Sequence, residues 1–162
     1  ILSRKLTLDE ALVKVRCIAD YQFSRGAGKV LFPPGIRIEY SRRTGKIRYI
    51  YFKGRLIATL RPTYGTFSLT SAGFKRLTEG FKPPKFRVVV LNRVAALIKQ
   101  GRTVFAKHVK DADSNIRPRD EVAVTDEDDE IIAVGKATLS GVEMLAFDKG
   151  VAVKVRHGIN ES

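Results

Sequence analysis

Apolar residues recur at helical spacing from the start of the chain. Leu8, Leu12, Val15, Ala19 and Phe23 fall three or four residues apart, with Ala11, Ile18 and Gln22 beside them. This spacing predicts one amphipathic helix over 6–23 with those positions inward and Cys17 buried on or beside the apolar face. Thr7, followed at spacing three by Glu10, is the pattern of a capping box, which satisfies amides that a helix start leaves without partners. The glycines of Arg25-Gly-Ala-Gly28 end the helix, since they tolerate the left-handed backbone of a C-terminal cap.

From Ile36 the period changes to two. Ile36–Tyr40, Ile47–Phe52 and Leu56–Leu60 are β-branched, aromatic or alternating runs. Turn signals at Arg43-Thr-Gly45 and Lys53-Gly54 separate them, which predicts a β-meander. Phe67–Leu69 predicts a short fourth strand, and Thr70–Leu77 a short helix capped by Thr70 or Ser71. Adjacent prolines at Pro83-Pro84 then stop regular structure.

Beyond the prolines, Phe86–Leu91 reads as a buried strand. Arg93–Lys99 reads as a helix with Val94, Leu97 and Ile98 inward and Gly101 as its stop. Val104–Ala106, Glu121–Thr125, Ile131–Ala137 and Val151–Val155 read as further strands, and Ser140–Ala146 as a helical turn. The stretch 111–120 is expected to be a polar loop and 126–130 an acidic turn. Several short strands around two short helices predict a small mixed barrel.

Charge sharpens this division. The chain has 162 residues and a formal net charge of +13. Residues 1–86 hold 18 Lys and Arg against 5 Asp and Glu, a net of +13, whereas 87–162 hold 12 against 12. We therefore divide the chain into a basic domain 1–82, a linker 83–85, a second domain 86–158 and a tail 159–162. An excess this large points to a polyanionic partner, because Lys and Arg gain by releasing counterions from phosphates. A highly charged composition is also compatible with thermophily. The single cysteine excludes an intrachain disulfide and a cysteine metal cluster. No long apolar run predicts a membrane span, and a cytoplasmic protein is expected.

Catalysis finds little support. Cys17, His108 and His157 are not paired by any motif, and the glycines at 26 and 28 fit neither a P-loop nor a dinucleotide fingerprint. The run Asp126–Glu130 lacks the glycine and terminal Glu of a calcium loop. No catalytic set, metal site or cofactor is expected. The basic domain, by contrast, interleaves cations with rings: Arg25, Lys29, Arg37, Arg42, Arg43, Lys46, Arg48, Lys53, Arg55 and Arg61 with Tyr21, Phe23, Tyr40, Tyr49, Tyr51 and Phe52. Guanidinium groups grip phosphates in pairs of hydrogen bonds, and exposed rings stack on unpaired bases. The alternative is that the rings are core and the cations a solvated face. Composition alone does not separate RNA from DNA.

Four segments carry a resemblance: Gly101-Arg-Thr-Val-Phe-Ala-Lys-His-Val109, Ile116-Arg-Pro-Arg-Asp-Glu-Val-Ala-Val124, Ile132-Ala-Val-Gly-Lys-Ala137 and Lys149-Gly-Val-Ala-Val-Lys-Val-Arg156. In order and spacing they resemble a PUA domain, the small RNA-binding pseudo-barrel of pseudouridine synthases and archaeosine transglycosylases. Arg119 departs from the family, which usually has glycine before Asp120. Upstream, Ile18-Ala-Asp-Tyr-Gln-Phe-Ser-Arg-Gly-Ala-Gly28 and Ser41-Arg-Arg-Thr-Gly-Lys-Ile-Arg48, continued by Leu60-Arg61 and Phe67–Thr70, resemble the segment before the PUA domain in archaeal tRNA-guanine transglycosylases. Nothing in the chain resembles that enzyme's catalytic barrel, its aspartates or its zinc ligands.

The resemblance implies an α+β protein, an α/β meander followed by a PUA-type mixed barrel, that binds RNA without catalysing a reaction. It implies a grip on the acceptor end of tRNA by a groove lined by Arg93, Gly101, Arg102, Lys107 and His108, with Lys154 and Arg156 on the last strand. At Gly101 a phosphate is expected to approach the backbone closely. A separate catalytic transglycosylase subunit is the implied protein partner. A ribosome-assembly or translation factor that binds rRNA is the alternative.

Overall fold

The computed structural model describes residues 6–161 and divides them into two compact units, with the division after Ser68. In the first unit, α1 (Leu8–Gln22) begins at Thr7, and the capping box with Glu10 is formed in both directions. Its buried stripe is narrower than the periodicity suggests. Ala11, Val15 and Ala19 are fully covered, whereas Leu8 is 64% exposed and Cys17 is exposed, not buried. Small residues dominate that stripe because a second helix, α2 (Ala27–Leu31), packs against α1. The glycines serve that helix pair. Gly26 takes a left-handed φ of 92° before α2. A Cβ at Gly28 would stand 2.3 Å from the Arg16 carbonyl oxygen, so only glycine lets the two backbones approach this closely. The Gly28 amide donates to the Asp20 carboxylate at 2.6 Å.

The meander is β1 (Arg37–Tyr40), β2 (Ile47–Phe52), β3 (Arg55–Leu60) and β4 (Phe67–Leu69), in that order in one sheet. Lys53 and Gly54, at φ 49° and 78°, both take positive φ between β2 and β3, as a tight type I′ hairpin requires. Ile50 pairs with Ile38 and Ala58, so these three share the inner face. Tyr49 pairs with Glu39 and Thr59, and Tyr51 with Arg37. These residues share the opposite face, because side chains alternate along a strand. Gln22, at the end of α1, ties helix to sheet by exchanging two hydrogen bonds with the backbone of Phe67, at 2.8 and 2.7 Å.

The second unit begins with α3 (Ser71–Glu79), capped by Thr70. It continues through β5 (Arg87–Val90), α4 (Asn92–Lys99), β6 (Val104–Phe105), a 3-10 turn (Ala106–His108), β7 (Val109–Ala112), β8 (Glu121–Thr125), β9 (Ile131–Ala137), α5 (Gly141–Ala146) and β10 (Val151–Gly158). Its six strands run in the order β6-β10-β9-β8-β5-β7. β5 and β8 are parallel, whereas the other described pairs are antiparallel, giving a mixed, PUA-type sheet barrel. Two elements differ from the expectation. Residues 111 and 112, expected to begin the polar loop, instead end β7, held as an edge by β5 despite their polar surroundings. Leu97 is 54% exposed, and Ala95 takes its place in the core beside Val94 and Ile98.

Although α3 precedes the proline pair in sequence, it packs on β9 in the second unit. Arg87 ties this region together. Its guanidinium is buried and donates to the carbonyls of Thr78, Phe81 and Lys85 at 3.0, 3.2 and 2.9 Å, while Nε meets Asp129 at 2.8 Å. The segment around the prolines is therefore bound to the second unit through hydrogen bonds. The acidic turn is structural as well as solvated. Asp126 accepts the amides of Asp128 and Glu130. Glu127 accepts the Asn92 amide at 2.8 Å, an anion at the positive end of α4.

Candidate nucleic-acid interface

In the first unit the cations collect at the two ends of the sheet. Arg42, Arg43 and Lys46 stand exposed on the β1–β2 turn. Arg61 follows β3 at the same end, because β3 runs antiparallel to β2. Arg37, Lys53 and Arg55 stand at the other end, about 20 Å away along a six-residue strand. Arg48 lies between them on β2. Arg25 and Lys29 are exposed in the separate α1–α2 corner.

In the second unit three of the expected groove residues come together. Arg93 opens the exposed face of α4. The His108 carbonyl accepts the Leu91 amide at 3.0 Å, which brings the 3-10 turn beside that end of the helix. His108 has its pKa lowered from 6.5, first by burial and then by the charges of Lys107 and Arg93. Arg102 is exposed beyond the other end of α4, about 12 Å along the axis.

The remaining three are placed differently. Gly101 has a φ of 94°, but the space on its Cα is filled. A Cβ there would lie 1.7 Å from the Glu161 carboxylate, so the tail occupies the position expected to receive a phosphate. Lys154 pairs with Lys136 on β9, on the sheet face opposite the core positions Val122, Ala133 and Val153 on which α4 packs. Arg156 is engaged internally. It meets the Glu121 carboxylate at 2.7 Å and donates to the Leu69 carbonyl at 2.7 Å, and the Glu121 side chain is only 4% exposed. A buried carboxylate needs such a partner.

Two side-chain contacts escaped the sequence reading. Arg87 lies in an apolar strand, and a cation there requires a nearby anion; Asp129, in the acidic run, supplies it. Arg37 stacks on Tyr51 with its guanidinium 4.2 Å from the ring centroid, a contact that depends on the β1–β2 register. Among the described residues no group of three or more His, Cys, Asp or Glu could hold a metal ion, and no helix is long and apolar enough to cross a membrane.

Comparison with known proteins agrees with this architecture. Residues 13–84 match the patch-forming domain C2 of tRNA-guanine transglycosylase, and residues 86–159 match the PUA domain. The chain is 46% identical over 152 residues to the tRNA-guanine(15) transglycosylase of Methanothermobacter thermautotrophicus, covering 94% of this chain and 23% of that protein. It is 43% identical to that of Thermococcus kodakarensis, covering 94% and 26%. The chain thus spans about a quarter of these relatives. The fold is shared with a hypothetical protein of Pyrococcus horikoshii OT3, at TM-score 0.75 and 22% identity over 98% of this chain and 95% of that one. A conserved PUA domain protein of Thermoplasma acidophilum aligns at TM-score 0.68 and 18% identity, over 97% and 93%. The family boundary at 84–86 coincides with the proline pair, whereas the spatial division comes earlier because α3 packs with the barrel. With both domains matched in order, the chain carries a C2-type patch-forming domain followed by a PUA domain and corresponds to about a quarter of the archaeal tRNA-guanine(15) transglycosylases that it resembles.

Proposed function

We propose that this chain is a non-catalytic tRNA-binding module that grips the acceptor end while a transglycosylase catalytic region, carried on a separate subunit, modifies the tRNA. The observation that carries the reading is the pairing of a strongly basic C2-type domain with a PUA domain. On the PUA domain, the exposed face of α4 has Arg93, Lys107 and His108 at one end and Arg102 at the other. Cations about 12 Å apart at the two ends of one helix reach phosphates of a single RNA strand. Lys154 and Arg156 are left out of this set, because one stands on the reverse face of the sheet and the other holds Glu121.

The test is anisotropy of a labelled tRNA transcript against salt. With about 5 phosphates contacted, log K falls against log salt with a slope of about −3.5 to −4.5. Arg102→Ala loses roughly 10- to 150-fold in affinity, the worth of a charge-assisted contact. Arg119→Ala, exposed beside Asp120, loses far less. A flat salt response, or equal losses in the two folded variants, overturns the reading. So does co-purification from native cells with ribosomal particles rather than with tRNA and a transglycosylase.

A further inference from the structure

We infer that the outer face of the first sheet is a base-stacking surface for unpaired RNA, with Tyr49 and Tyr51 of β2 each taking one base. The inference rests on the RNA-binding reading above and adds to it a second surface and a distinct ligand class, single-stranded rather than helical RNA.

The register supplies the argument. Tyr49 and Tyr51 stand on the face opposite Ile38, Ile50 and Ala58, so the hydrophobic core of this unit does not account for them. Two residues apart on one strand, the rings are roughly 7 Å from each other, far enough for each to meet its own base. Both carry arginine. The Arg37 guanidinium lies 4.2 Å from the Tyr51 centroid and the Arg48 guanidinium 5.6 Å from that of Tyr49. Arg37 is in turn paired with Glu39, its neighbour on the same face. A guanidinium plane laid on a ring offers a base a second flat layer, so a base stacks on Arg37 over Tyr51 and another against Tyr49.

Charge complementarity selects the occupant. Arg42, Arg43 and Lys46 stand at one end of this strand and Lys53 and Arg55 at the other, all exposed, while Glu39 is the single acid on β1–β3 and their turns. An RNA strand lying along β2 thus places its bases on the rings and its phosphates near cations at both ends. A duplex presents no free base faces to the rings and engages the cations alone.

The test uses the full chain with two probes of equal charge, a single-stranded oligouridine and a blunt RNA duplex. Tyr49→Ala and Tyr51→Ala each lose about 5- to 100-fold on oligouridine, with the salt slope unchanged and duplex affinity kept. Tyr49→Phe keeps both affinities, because the ring and not the hydroxyl does the stacking. The chain contains five tyrosines and no tryptophan, so the part of the tyrosine quenching by oligouridine that is lost in Tyr49→Ala and Tyr51→Ala reports stacking on these two rings. Unchanged oligouridine affinity in folded Tyr→Ala variants overturns the inference, as do equal losses on both probes or a shallower salt slope. In that event continued duplex binding leaves the RNA-binding reading standing, whereas loss of all RNA binding by the unaltered chain removes both.

Discussion

Arg156 separates a structural cation from a binding one, and its replacement by alanine has an outcome that can be worked from the geometry. The side chain makes a 2.7 Å contact with Glu121 and a 2.7 Å hydrogen bond to the Leu69 carbonyl. Removing it leaves a carboxylate that is 4% exposed without its guanidinium. A buried pair broken from one side costs about 3–5 kcal/mol when nothing replaces the partner. Lys136 stands directly across from Glu121 on β9 and takes over part of the charge, so the expected loss is about 2–4 kcal/mol. For a domain of this size that lowers the melting temperature by about 8–30 °C. Glu121→Gln combined with Arg156→Ala recovers much of the loss, because a neutral amide tolerates burial better than an isolated charge. Urea denaturation and calorimetry of the single and double variants measure it. Weakened tRNA binding by Arg156→Ala with unchanged stability would refute the assignment and return Arg156 to the RNA surface.

Two further outcomes test other parts of the structure. Arg119 has a φ of +79°, at the third position of a turn closed by the Asp120 amide on the Arg117 carbonyl, with Pro118 second. That is the pattern of a type II turn, which favours glycine there. Arg119→Gly should therefore stabilise the protein by about 0.5–1 kcal/mol in urea denaturation, the left-handed penalty less the entropy of a freer unfolded chain. A destabilised variant would mean that the arginine side chain, not the backbone, matters there. His108 should titrate below 6.5 by NMR, and Lys107→Ala should raise its pKa only partly, since burial is the larger cause. Its folded pKa lies below the unfolded value, so the native state resists protonation. Stability therefore falls as pH drops below about 6.5, and His108→Gln should remove that part of the pH dependence. An unmoved titration in Lys107→Ala would mean that the Lys107 charge does not act on the imidazole.

The sequence by itself determined the elements whose signals are local. The capping box at Thr7 and Glu10, the three strands of the meander, the stop at Gly101 and five of the six strands of the second domain all depend on residues within a few positions of one another. The charge asymmetry and the PUA-type spacing likewise lie in the linear order, and they carry the RNA-binding reading. Only the tertiary structure decided where each long side chain goes. The cations at 93, 102, 107, 154 and 156 are equivalent in sequence, yet register sends Lys154 to the reverse face and gives Arg156 a buried partner. Gly28 reads as a helix stop until it is seen inside a second helix, α2, whose backbone lies against Arg16 of α1. Arg119 departs from the family as a letter, but its cost is visible only as a dihedral angle. Tyr49 and Tyr51 could be core or surface on composition alone, and the pairing of β2 with its neighbours assigns them to the outer face, because one step of register exchanges the two faces of a strand.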